Sequence, residues 1–237
     1  MTLDSCRRCL PDEDYADSML SLTETRRRCL ENAAALVVLS RYMAEELDAV
    51  GLPGAQVIPP WIEVNESAPQ PGSGFLLGGR LVRYKGLDLA IEAWKRSSSN
   101  HPLRVAGEGP LEKDLDDIER LGWLSNDALR QRLHHSRALL FPSLWQEPFG
   151  ILGVESLAES TPVIAIRSGG VEDWAEEGTF LIDGGDVASM TEAIDALSSD
   201  VELAMELGAK GRELVRRRFS KTRIQPRLEA LYASVRP

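Results

Sequence analysis

From Phe75 onward the chain repeats one pattern: a short apolar run, a turn, an amphipathic stretch, then another apolar run. The runs are Phe75-Leu76-Leu77, Leu103–Ala106, Ala138–Phe141, residues 162–166 and Thr179–Ile182. They are apolar throughout rather than alternating, the pattern of strands covered on both faces. The stretches between them have helical spacing. Leu87, Ile91 and Trp94 share one face, Leu129 and Leu133 another with Ser125 placed to cap its start, and Val187, Met190, Ile194 and Leu197 a third. Strands and helices alternating at this spacing make right-handed βαβ units, which predicts an α/β fold with a doubly wound, Rossmann-like parallel sheet.

The flanks differ. Residues 12–33 read as a helix, 35–39 as one buried strand, 41–50 as a helix, and Val57-Ile58 as a strand stopped by Pro59-Pro60. Residues 66–74 have the composition of a linker. Residues 200–218 and 221–235 read as two helices without an intervening strand, broken at Phe219-Ser220, with Ser220 able to cap the second. The divisions expected are therefore 1–65, a linker over 66–74, a main domain over 75–220 and a closing helix over 221–237. One or two strands in the first piece are too few for an independent open sheet.

Charge and cysteine content narrow the function classes. Acidic residues outnumber basic ones by 37 to 27, giving a net charge of −10, which argues against nucleic acid as a partner. The two basic triplets, Arg26-Arg27-Arg28 and Arg216-Arg217-Arg218, read as solvated helix faces. No run reaches the roughly 18 apolar residues of a transmembrane segment, and residues 1–10 lack the apolar core of a signal peptide, so the cytoplasm is the expected compartment. Cys6-Arg-Arg-Cys9 has the spacing of half a zinc site, but His101, His134 and His135 lie far along the chain. Reduced thiols, and no metal, are expected.

In an open parallel sheet, ligands bind where strands end and loops turn into helices. After the first main run comes Gly78-Gly79-Arg80-Leu81-Val82-Arg83-Tyr84-Lys85-Gly86, with glycines that let the backbone approach a ligand and two cations near a helix start. That combination suits a diphosphate, or equally a surface turn with exposed basic residues. Gly107-Glu108-Gly109-Pro110 lacks the third glycine of a dinucleotide fingerprint and reads as well as a tight turn. After Phe141 comes Pro142-Ser143-Leu144-Trp145-Gln146-Glu147-Pro148-Phe149-Gly150-Ile151-Leu152-Gly153-Val154-Glu155. Glu147 lies in its loop, and Glu155, about one and a half turns into the following helix, is a carboxylate on an apolar stretch. It is either paired structurally or accepts hydrogen bonds from a ligand diol. Ser168-Gly169-Gly170-Val171-Glu172-Asp173 is a further glycine turn opening a helix.

Taken in order, these segments resemble the donor domain of glycosyltransferase family 4, retaining enzymes with the two-domain GT-B fold. The resemblance runs from Ala35 to the end through "GGRLVRYKGLDLAIEAW", "VAGEGPL", "LGWLSNDALRQRLHHSRALLFPSLWQEPFGILGVESLAESTPVIA", "SGGVEDW" and "FSKTRIQPRLEALYASV". It implies a nucleotide-diphosphate sugar as donor substrate, with no cofactor and no metal. Arg80 and Lys85 would neutralise the diphosphate and help the departing nucleotide carry its charge. Glu147 would contact the donor sugar, without being assigned as a nucleophile, and Glu155 the ribose hydroxyls. The backbone of Phe149, Gly150, Ile151 and Leu152 would bind sugar hydroxyls and phosphate. Trp123 and Leu124 would lie against the base, with Gly107, and Gly79 at the phosphates, completing the wall.

The family normally carries a complete first domain with a glycine-rich loop and a histidine facing the sugar. Here "ALVVLSRYMAEELDAVGLPGAQVIPPWIEV" resembles only its last strand, helix and exit, and no histidine matches. The resemblance thus implies a truncated acceptor side and a transfer to an unknown acceptor that needs the missing half. The alternatives are a binding subunit of a split enzyme, or a different GT-B enzyme such as an epimerase or a phosphorylase. The orphan strand over 35–39 would expose apolar faces and edges, which implies a homodimer or a separate acceptor-domain subunit as partner.

Overall fold

The computed structural model describes residues 12–115 and 118–235. The Cys6/Cys9 motif and the reading of residues 1–10 lie outside them. In chain order the elements are α1 (Glu13–Glu31), β1 (Val37–Val38), α2 (Arg41–Ala49), β2 (Gln56–Val57), β3 (Phe75–Gly78), α3 (Leu87–Arg96), β4 (Leu103–Ala106) and β5 (Glu119–Gly122). There follow α4 (Asn126–His134), β6 (Ala138–Phe141), α5 (Ile151–Ala158), β7 (Val163–Ile166), β8 (Thr179–Ile182), α6 (Val187–Ser199), α7 (Val201–Arg218) and α8 (Lys221–Ser234). Short 3-10 turns occupy Arg83–Lys85, Pro110–Asp114 and Gly169–Asp173.

The main sheet has six parallel strands in the order β5-β4-β3-β6-β7-β8. Phe75 at the start of β3 pairs with Leu103 of β4 on one side and Ala138 of β6 on the other. Successive side chains of each strand enter opposite cores. Phe75 and Leu77, Leu103 and Val105, Ala138 and Leu140, and Ile164 and Ile166 pack with Leu87, Ala90 and Ala93 of α3 and Met190, Ile194 and Leu197 of α6. Leu76, Leu139, Phe141, Val163 and Ala165 pack with Leu133 of α4, Val154 and Leu157 of α5, and Leu214 and Val215 of α7. Burial on both faces is why the central strands β3, β6 and β7 carry no polar alternation, whereas β4, next to the edge, admits Arg104.

The β5 strand carries no apolar run, because it is an edge. Glu119 and Arg120 are exposed there, and Glu119 pairs with Arg104 of β4 at 2.8 Å. An edge strand has one neighbour and tolerates charge, which hides it from a search for apolar runs. Ser125 caps α4 as its spacing predicts, accepting the Ala128 N–H at 3.3 Å. The expected Ser220 cap does not form: its hydroxyl bonds Thr222 at 3.1 Å and takes no backbone N–H from α8.

The N-terminal piece also departs from expectation. The strand over 35–39 shrinks to two residues, with Val38 buried but Val37 and Leu39 exposed. It pairs in parallel with β2, in the register Val37 with Gln56 and Val38 with Val57. Helix α8 covers this small sheet: Ile58 packs with Ile224 and Leu231. Residues 66–74 carry no regular structure yet are strapped to the main sheet, with Arg212 donating to the Ser67 carbonyl at 2.6 Å and Ser73 N–H to His135 at 2.9 Å. Both basic triplets sit on solvated helix faces. Arg27 pairs with Glu31 at 2.9 Å, and Arg217 and Arg218 with Glu177 and Glu176 at 2.9 and 2.7 Å.

The packing of α5 is tightest at Gly153, which lies against the fully buried Trp174. A Cβ there would stand 2.1 Å from the indole ring, whose Nε1–H is fixed to the Phe149 carbonyl at 2.6 Å. Alanine in a helix interior normally gains about 1 kcal/mol over glycine. Gly153→Ala should instead lose about 1–3 kcal/mol through overpacking, read as a lower urea midpoint. A variant at least as stable as the parent would show that Trp174 yields freely.

Candidate functional site

The sheet order reverses between β3 and β6: the chain moves outward from β3 through β4 to β5, then returns to β6 on the other side. Helix α3 leaves β3 over one face and α5 leaves β6 over the other. The loops therefore diverge and a crevice opens above the carboxyl ends of these two strands.

Two joined cavities occupy it. The first, about 220 Å³, is bounded by Arg80, Lys85, Ser143, Glu147 and Gly150. The second, about 330 Å³, is bounded by Gly107, Trp123, Leu124, Asn126, Leu129 and Glu155. Gly79, Ile151 and Leu152 line both. The structure thus brings Arg80, Lys85, Glu147 and Glu155 onto one rim. Phe149 does not join them: its ring packs edge-on against Phe219 with centroids 5.6 Å apart, its carbonyl is held by Trp174, and it lines neither cavity. A loop motif gives the order of residues but not which way each one faces.

Local geometry explains the placement. Lys85 Nζ meets Glu147 Oε1 at 2.5 Å, and Glu147 is only 7% exposed. The Tyr84 carbonyl accepts the N–H groups of Leu144 and Trp145, both at 3.0 Å, so the loops after β3 and β6 are tied twice. Gly86 permits this approach, having φ +70° and a position where any Cβ would fall 1.9 Å from the Pro142 carbonyl. Gly107 plays the same part against the Gly79 carbonyl, also at 1.9 Å, with φ +139°. The following residues are the tight turn: Gly109 N–H donates to Glu112 at 2.8 Å. Gly169–Asp173 forms a 3-10 turn rather than opening an α-helix, and it buttresses the site from outside. Gly170 N–H donates to the Glu147 carbonyl at 2.7 Å, and Asp173 holds Arg41 of α2 at 2.9 Å.

At the head of α5, Ile151 and Leu152 line both cavities, and a helix start leaves its first N–H groups without intrahelical acceptors, Gly153 apart, whose N–H donates to the Gly150 carbonyl at 3.0 Å. Arg80 makes no ion pair among the described residues, and its guanidinium carbon lies 5.7 Å from the Tyr84 ring centroid. The Glu155 carboxylate takes no hydrogen bond from a described residue, although its backbone carbonyl accepts the Glu159 N–H at 3.1 Å within α5. Burial pushes its carboxyl above the ordinary value, opposed by the charge of Arg130 and reinforced by that of Glu159. Arg130 and Ser143 are contributors the sequence did not single out. Ser143 lies two residues past the end of the β6 run, which is a usable signal; Arg130 lines neither cavity and acts on Glu155 from α4 by its charge. Among the described residues, no group of three His, Cys, Asp or Glu side chains could hold a metal, and no helix is long and apolar enough to cross a membrane.

A six-stranded parallel sheet with a cation-bearing cleft at its order reversal defines a Rossmann-like domain, in the arrangement of GT-B glycosyltransferases. Residues 66–214 match the family of glycosyl transferases group 1, and the chain belongs to that family. It is 31% identical over 211 residues to the uncharacterized glycosyltransferase YqgM of Bacillus subtilis, covering 81% of this chain and 58% of that protein. It is 29% identical to the GDP-mannose-dependent alpha-(1-6)-phosphatidylinositol monomannoside mannosyltransferase of Mycolicibacterium smegmatis, covering 82% and 61% respectively. The chain thus spans about three fifths of the length of these relatives. Among solved structures, sucrose-phosphate synthase from Thermosynechococcus elongatus superposes with a TM-score of 0.78 at 22% identity, covering 99% of this chain and 66% of that one. Anabaena HepE in complex with UDP-glucose superposes with 0.76 at 18%, covering 85% and 64%.

The raised Glu155 carboxyl has a consequence for stability. A carboxyl whose pKa is higher in the folded state favours folding when protonated, and that contribution is lost as pH rises above its unfolded value near 4.5. At neutral pH the ionised group is therefore a cost. Glu155→Gln should raise the urea midpoint at pH 7, with the gain shrinking toward pH 4.5 and vanishing below it. A neutral-pH loss, or a gain that persists in acid, would contradict burial as the dominant cause.

Proposed function

We propose that this chain is the donor-binding half of a retaining, family 4-type glycosyltransferase that takes a nucleoside diphosphate sugar. One observation carries it: a cavity with two cations and a helix amino end shares a wall with a larger cavity that has a half-buried carboxylate and an exposed indole. The first accommodates a diphosphate and the sugar attached to it, the second a nucleoside. Arg80, Lys85 and the α5 amides bind the diphosphate oxygens. Trp123, 72% exposed, offers its face to the base beside Leu124, and Glu155 accepts hydrogen bonds from the ribose diol, one on each oxygen.

Transfer breaks the bond between the anomeric carbon and the diphosphate oxygen, and negative charge grows on the departing nucleotide. Arg80 and Lys85 stand where that charge develops, in place before the reaction begins. Glu147 is held against Lys85 at 2.5 Å, which suits it to accepting hydrogen bonds from sugar hydroxyls rather than attacking carbon. The donor is a substrate, and the scheme includes no resident cofactor. The names of the relatives, which mention GDP-mannose and UDP-glucose, support a guanosine or uridine diphosphate sugar as its class. The acceptor side is completed by a further domain of the kind that the longer relatives have room for, placed over β1, β2 and the rim.

Calorimetry of the chain with UDP and GDP tests the donor site. Binding is expected for at least one, and Arg80→Ala and Lys85→Ala should each weaken it about tenfold, roughly 1.4 kcal/mol, with a shallower salt dependence. Unchanged affinity in both variants, each folded by urea denaturation, would reject this site.

A further inference from the structure

Three large side chains on the rim belong to neither cavity. Tyr84, Leu144 and Trp145 are 39%, 50% and 54% exposed, yet Lys85 and Glu147, close by in sequence, line the first cavity. Tyr84 and Trp145 form a pair with ring centroids 5.6 Å apart and planes tilted by 53°. The backbone beneath them is fixed, because the Tyr84 carbonyl accepts both the Leu144 and the Trp145 N–H. A rigid double loop, rather than a mobile tip, therefore presents these faces to water. Aromatic faces held this way bind with little loss of side-chain freedom.

We propose that Tyr84 and Trp145 form a stacking platform for a pyranose ring of the acceptor, next to the sugar of the donor. This rests on the donor reading above. A pyranose has an apolar C–H face and a hydroxyl edge. The platform supplies matching groups: two aromatic faces, and around them Arg80, whose guanidinium lies over Tyr84, and the exposed Gln146, whose amide can donate and accept. Its position beyond the Lys85–Glu147 pair places an acceptor ring outside the donor cavity but adjacent to it.

Other occupants fit less well. A patch of three side chains falls far short of the roughly 800 Å² per partner of a stable protein interface. A net charge of −10 opposes adhesion to an anionic membrane. A single sugar ring is of the right size.

Saturation-transfer NMR with the methyl pyranosides of glucose, galactose, mannose and N-acetylglucosamine provides the test, run beside UDP and GDP calorimetry on the same samples. At least one glycoside should receive saturation at its ring C–H protons. Trp145→Ala and Tyr84→Ala should reduce it at least fivefold and Trp145→Phe should retain it, with nucleotide affinity within twofold of the parent in both Trp145 variants. Absence of saturation for every glycoside in the parent, or undiminished saturation in Trp145→Ala, would overturn the platform and leave the donor site standing. A concentration-dependent dimer abolished by Trp145→Ala would overturn it in favour of a protein contact. Failure of the parent to bind either nucleotide would instead remove the donor reading.

Discussion

Everything at the functional rim depends on one topological constraint, the reversal of strand order between β3 and β6. Adjacent parallel strands whose helices pass over the same face have their exits closed by the crossing chain. Here α3 and α5 pass over opposite faces, so the backbone leaves a gap that no main-chain segment fills. The gap exposes the first-turn amides of α5 and the glycine backbone after β3. Hydrogen-bond donors are thereby presented to a ligand at no extra folding cost, since a helix start must leave them free in any case.

The Lys85–Glu147 pair turns this gap into a defined shape. Neither residue is fully exposed, and removing one would leave the other charge poorly solvated. The contact therefore acts as a clamp on the wall of the first cavity. It joins the loop after β3 to the loop after β6, alongside the two hydrogen bonds to the Tyr84 carbonyl, and Gly170 holds the Glu147 backbone from the far side. Preorganisation of this kind means that a bound anion finds its charges already in place instead of ordering them on arrival. The cost of holding unpaired charge falls on Glu155, whose burial nothing among the described residues compensates with a hydrogen bond.

The sequence makes the central strands, the helices of both faces and the loop chemistry legible, because strands buried on both sides must be apolar and loops near a ligand must carry glycine and charge. What escaped it follows from the same physics in reverse. Strand β5 is an edge, so its Glu119 and Arg120 lack an apolar signature. The strand near Val37 pairs only with the two residues of β2, and Leu39, apolar in sequence, ends in solvent. Phe149 stands inside the most informative motif yet turns toward Phe219, since the direction of a loop side chain is decided by the core it meets. Arg130 influences Glu155 from another helix, a relation that no local spacing encodes.

An acidic chain with a cation-lined cleft is not a contradiction. Over a Debye length of about 8 Å at physiological ionic strength, distant charges are largely screened, so a net charge of −10 matters less than the groups facing the cavity. Of these, Glu147 is neutralised by Lys85, Arg80 makes no ion pair among the described residues, and the α5 terminus adds positive potential. The remaining carboxylate, Glu155, lies in the second cavity, separated from the cations by Ile151 and Leu152. The side chains lining the first cavity, Arg80, Lys85 and Glu147, thus carry a net positive charge while the molecule as a whole is negative.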